Sequence, residues 1–262
     1  MSNQSEPRKA PHAARGTQVV VVRIRDDEIE VSPNHFRLNS DTFPVTGITG
    51  VRYGVEEKPA WGTVRKVMRI GLRAHWCENA PLTNKLFHHS DGSDLVPDDS
   101  FSLASDANRG SSKQVEIICN RFLRSEQQAW EDFQVIVGAI RQHIVPNLSN
   151  RIARQIISGS EYKFGGCFMD SPYYRLSWNG VAFGGHTCGG DANSRWDGVE
   201  DFFTVPYEKF EIHQNGNAIH FRCREREDSD LKFDAVSHWN AVIAEAIVGR
   251  LKEIKAQLST TP

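Results

Sequence analysis

Between residues 126 and 158 apolar side chains recur at steps of three and four. Trp130, Phe133, Val137, Ile140 and Ile144 mark one face, and Leu148, Ile152, Ile156 and Ile157 resume the period after Pro146. That period predicts the longest helix of the chain. Ser125 stands where an N-cap is wanted, Glu126 suits the first turn, and Gly159 ends the pattern. Pro146 lacks a backbone donor, so it either kinks one helix or separates two. A second helical pattern covers residues 234 to 258, with Trp239, Ile243, Ala246 or Ile247, Leu251, Ile254 and Leu258 on one face.

Elsewhere the period is two. Residues 18 to 33 predict two strands about a turn at Asp26-Asp27. Strand-type residues continue through 35 to 57, where Gly47 and Gly50 predict a bulge, and through 63 to 77 and 113 to 122. In the second half YKFGGCFMD, YYRLSW and VAFGG read as short strands, the last two joined at Asn179-Gly180. Residues 184 to 198 read as a glycine-rich loop. Two alternating strands then flank Asn215-Gly216, as a hairpin. Residues 78 to 112 are a polar Ser/Asp/Asn/Gly insertion, and residues 1 to 16 a polar tail.

The resulting order is strands, helix, strands, helix, which reads as one unit used twice. The predicted division is a tail at 1–16, a first unit at 17–145 with its long loop at 78–112, a connector at 146–159 and a second unit at 160–258. The letters align in part: KQVEIICNR with NAIHFRCRE, placing Cys119 over Cys223; Phe133 with Trp239; Phe43-Pro44-Val45 with Phe203-Thr204-Val205.

Each half is thus a meander of short strands closed by one helix. The run VEDFFTVPYEKFEI, its QNGN hairpin and the WNAVIAEAIV helix resemble the second half of bacterial pleckstrin-homology (PH)-like domains. The resemblance implies an α+β fold, mainly antiparallel β, of two bent sheets or barrels each closed by a C-terminal helix. It also implies a non-enzymatic adaptor that recognises a protein partner or a peptide added at a sheet edge, as part of a bacterial signalling or anti-phage defence system. Homodimerisation through the central helix fits the stripe interrupted at Pro146. PH-like domains that hold phosphoinositides carry basic residues on the first hairpin; here that hairpin holds the mixed set Arg23, Arg25, Asp26 and Asp27, which argues against a lipid headgroup.

Composition narrows the classes. The net charge of the 262 residues is −2, which argues against coating nucleic acid by bulk charge. No apolar run is long enough to span a membrane, and the N-terminus lacks the apolar core of a signal peptide. The 5 cysteines are scattered. A reducing cytoplasm with free thiols is the expectation.

Candidate chemistry is sparse. There is no phosphate-cradling glycine loop and no nucleophile elbow, so no cofactor is implied. His186 and Cys188 in FGGHTCGGD, with Cys167, Asp191 and His213, are the candidate metal or Cys/His site. His88, His89 and Asp91 lie in the polar insertion. Arg222, Arg224 and Arg226 read as one face of a strand able to contact phosphate groups, the alternative being a phosphoinositide or nucleic-acid binding module. Trp61, Trp76, Trp196 and Tyr53 are candidate aromatic contacts for a partner.

Overall fold

The structure, a computed structural model, describes residues 19–60, 63–75, 112–120, 125–165, 172–189 and 196–259. The chain is α+β and mostly antiparallel sheet. It opens with β1 (Val20–Ile24), β2 (Asp27–Val31), β3 (His35–Leu38) and β4 (Asp41–Pro44), a sheet in sequential order. Arg25 and Asn39 adopt positive φ where the chain turns between these strands. A 3₁₀ turn at Val45–Gly47 leads to a three-stranded sheet of β5 (Ile48–Ala60), β6 (Thr63–His75) and β7 (Ser112–Ile118). The expected bulge is present, as a register shift between Ile48 and Gly50.

Residues 126 to 157 form one continuous helical rod. It comprises α1 (Glu126–Ala139), a π turn at Ile140–Ile144 and α2 (Val145–Ile157). The Ser125 hydroxyl caps it by accepting the Gln128 N–H at 3.2 Å. Pro146 neither kinks the rod into two helices nor ends it. It sits in the first turn of α2, and the wider turn before it absorbs the missing donor and the crowding of the ring. Ile136, Ile140, Ile144, Leu148, Ile152 and Ile156 are all buried at steps of four. A four-residue step overshoots a 3.6-residue turn by ~40°, so the stripe winds around the rod. Its start packs on β1 and β6, and its end on β5, β9 and α3. Trp130, expected on the buried face, is 44% exposed.

The second half repeats the order. β8 (Tyr162–Gly165), β9 (Tyr173–Ser177), β10 (Gly180–Gly189) and β11 (Trp196–Val205) form a four-stranded meander. A 3₁₀ turn at Tyr207–Lys209 leads to β12 (Phe210–Asn215), β13 (Ala218–Cys223) and β14 (Arg226–Asp234), and the chain closes with α3 (Ala244–Ser259). The two 3₁₀ turns match in detail. Each follows a proline in extended conformation, Pro44 and Pro206, and each closes by an N–H to its first carbonyl, that of Val45 or Tyr207. Phe43-Pro44-Val45 therefore matches Val205-Pro206-Tyr207, two residues on from Phe203-Thr204-Val205. By order, β7 answers to β14, whereas Cys223 ends β13, so the alignment of Cys119 with Cys223 slips by one strand.

Three further expectations are corrected. The segment predicted as helix from 234 begins as the end of β14. The Asp234 carboxylate accepts the N–H groups of Val236 and Ser237 and turns the chain, and Asn240 holds a left-handed backbone, so regular helix starts only at Ala244. Trp239 is therefore not on that helix. Arg226 does not share a strand with Arg222: the chain reverses at Arg224-Glu225, and Arg226 stands opposite Cys223 on β14. The described parts of the expected glycine-rich loop, 184–189 and 196–198, are strand, with His186 opposite Val199 and Cys188 opposite Asp197.

A single buried cluster runs through both halves. Its second half is dense in rings: Tyr174, Phe210, Phe221 and Phe164 stand with centroids 5.0–5.6 Å apart at steep angles, the offset geometry aromatic pairs favour. The Tyr174 hydroxyl satisfies itself on the Ser229 carbonyl at 2.5 Å.

Candidate functional site

The three-stranded sheet of each half has an outermost strand, β5 or β12, with one unpaired side. An open edge of this kind displays backbone N–H and C=O groups that bind any matching strand. The two edges are treated differently.

The β5 edge is closed by the chain itself. The Asn240 side chain accepts the Val51 N–H at 2.9 Å, and the Asn240 N–H donates to the Val51 carbonyl at 2.9 Å. Four residues along, the Asn217 carboxamide accepts the Val55 N–H at 2.9 Å and donates to the Val55 carbonyl. Asn240 also donates to Thr49 O at 3.0 Å and to the Tyr162 hydroxyl at 2.6 Å. Two carboxamides thus stand in for a neighbouring strand. Glycines make the approach possible: a Cβ on Gly54 would lie 2.5 Å from Asn217 Oδ1, and one on Gly50 3.0 Å from the Trp239 ring. Trp239 itself is held between the guanidinium groups of Arg52 and Arg73, at 4.5 and 4.6 Å. Burial lowers the pKa of both arginines.

The β12 edge is open among the described residues. Its hairpin with β13 closes through Gly216, whose φ of 59° suits glycine. Asn215 pairs with Ala218, and Arg224 N–H donates to Lys209 O at 2.9 Å. By the alternation of an antiparallel ladder, the odd-numbered residues of β12 exchange bonds with β13. Phe210, Ile212 and Gln214 then direct their N–H and C=O groups to the other side, where no described strand lies.

Beside β12 lies a groove of about 740 Å³. Phe210, Ile212 and Asn215 of β12 form one wall, and Glu245, Val248, Gly249 and Lys252 of α3 the other. His213, His220, Arg222 and Asp230 from the outer sheet face complete it. Several of its charges are matched locally. Arg224 takes the Glu211 carboxylate at 2.5 Å, and His220 meets Asp230 at 3.1 Å. Gly249 lies in the middle of α3, where a Cβ would meet nothing within 4 Å.

Of the residues singled out from sequence, Arg222 lines this groove. Arg224 is bound to Glu211, and Arg226 lies over the Phe203 ring at 5.1 Å; the three arginines diverge. His213, named as a candidate ligand, lines the groove from the outer sheet face. Tyr53 is buried and accepts a hydrogen bond from Arg141 at 3.0 Å. Trp61, Trp76, Cys167, Asp191 and the pair His88-His89 lie outside the described residues, as do the side chains of His186, Cys188 and Trp196. Among the described residues no group of three or more His, Cys, Asp or Glu is placed to hold a metal ion. No described helix is long and apolar enough to cross a membrane. The groove was not singled out from sequence. Its one local signal was Gly249, a helix-weakening residue inside a strong helical pattern.

No family model, no curated protein and no solved structure matches this chain.

Proposed function

We propose that the chain is a non-enzymatic binding protein of two PH-like units that recognises a protein partner by adding an extended segment of it to the edge of β12. The repeated order of four strands, a proline-led 3₁₀ turn, three strands and a helix supports the PH-like reading. The observation that carries the binding reading is the contrast between the two edges. The same chain closes β5 with its own carboxamides and leaves the matching side of β12 without a described strand, next to a groove that β12 and α3 both line. Strand addition supplies affinity through main-chain bonds and specificity through alternate side chains.

A random peptide library displayed on phage, panned on the whole protein, tests it. Peptides recovered on the wild type are expected to be lost on Gln214→Pro. That change deletes one edge-facing N–H, and at an outward-facing edge position proline is tolerated by the sheet. Recovery that is indifferent to Gln214→Pro, with the variant folded, would refute the reading.

A further inference from the structure

The outer face of the β12–β13 hairpin carries two histidines, His213 and His220, directly opposite each other across the ladder. Opposed residues of an antiparallel pair put their side chains on one face, with Cβ atoms about 5 Å apart. Both line the groove. Other histidines are engaged within the fold: His35 by Ser32 and Glu30, His238 by the backbone of Asp234. His213 is exposed and forms no hydrogen bond or ion pair among the described residues. The Asp230 carboxylate meets His220 Nδ1 at 3.1 Å. An ionised carboxylate only accepts, so Nδ1 carries the proton, and the ring, when neutral, keeps its lone pair on Nε2.

Imidazole nitrogen suits zinc, copper and nickel. A ligating histidine usually donates its other ring N–H to a carboxylate, which fixes its tautomer. We infer that His213 and His220 together chelate one divalent transition-metal ion. Asp230 is a positioning residue for His220 and not a ligand, and water completes the coordination. The division of roles agrees with the finding that no three described His, Cys, Asp or Glu side chains are placed to hold an ion directly. No described partner holds the His213 ring away from its neighbour. The charges around the pair are mixed. Lys232 stands opposite His220 on β14, and Arg222 stands opposite Glu211. Asp230 and Glu211 offset these two cations. A phosphate group is the rival occupant of a rim with two basic residues. The carboxylate held against His220 opposes an anion there and favours a cation.

Zinc chloride titrated into the whole protein, by calorimetry in a buffer that does not chelate metal, tests the pair. His213→Gln and His220→Gln should each remove the same single equivalent of zinc. The double variant should lose no more than either one, and zinc held elsewhere in the chain stays in all three. Asp230→Asn should keep the stoichiometry and weaken that equivalent about tenfold, the effect of losing an outer partner. Metal-free thermal midpoints close to that of the wild type show that each variant is folded. Unchanged stoichiometry in both single variants, or loss of two equivalents in the double variant, would overturn the shared site. An Asp230→Asn protein with unchanged affinity, or with the equivalent gone, would overturn the positioning role. Binding of inorganic phosphate that needs His213 and His220, with no zinc bound there, would place an anion at the pair and overturn the inference.

Discussion

Asn240 does the work of several residues. It is buried, adopts φ 62°, and spends its side chain and N–H on Val51, Thr49 and Tyr162. Asn240→Ala strands the Val51 N–H and forces alanine into a left-handed backbone. The cost should be about 3–5 kcal/mol, from unsatisfied buried groups and the backbone penalty together. Asn240→Gly keeps the backbone and should cost less; chemical denaturation of the two variants separates the terms. A second residue-scale case is Arg37, which bridges Glu28 at 2.8 Å and Glu30 at 2.5 Å. For Glu28, Arg23 and then Arg37 hold the carboxyl below its ordinary value; for Glu30 the chief cause is Arg37. A depressed carboxylate contributes stability above its unfolded pKa and loses it as pH falls through the folded value. Thermal midpoints of wild type and Arg37→Met should therefore differ at pH 7, and the gap should close as pH drops below about 4.

At the scale of elements, β5 and β12 should differ in hydrogen exchange. The Val51 and Val55 amides lie on an outermost strand but are bound by Asn240 and Asn217, so they should be protected. The Ile212 and Gln214 amides should exchange fast. Equal rates at the two edges would contradict the asymmetry on which the binding reading rests. The elements also show what the residues could disclose beforehand. The central helix, its cap, the bulge at Gly50 and the hairpin at Gly216 were legible because each has a local cause: period, hydroxyl, glycine. The π turn was not, because it answers a conflict between Pro146 and an unbroken buried stripe. The start of α3 was missed because Trp239 and Ile243 keep a helical spacing, while Asp234 and Asn240 fix the turn through bonds to their own backbone and to β5, 189 residues away. The groove was illegible for the same reason: its walls are β12 and α3, joined only by folding.

For the whole molecule, the shared cluster and the winding stripe of the central rod tie the halves together. Unfolding should be one cooperative transition. Tryptophan fluorescence, with Trp239 clamped at the junction, and far-UV circular dichroism should report the same midpoint. Asn240→Ala should move both together; separate midpoints would show the halves melting independently. The open edge belongs to a sheet whose Phe210 and Phe221 join this shared cluster, so a segment added there, as proposed, would meet a wall already packed.

The position of α3 beside β12 has a consequence for solubility. An exposed strand edge normally invites other sheets as readily as single strands. Here α3 lines the same groove as the edge strand β12. Removing α3, by a stop codon before Ala244, should bare both this edge and the core that Ile247, Val248 and Leu251 cover, and drive aggregation that light scattering would detect.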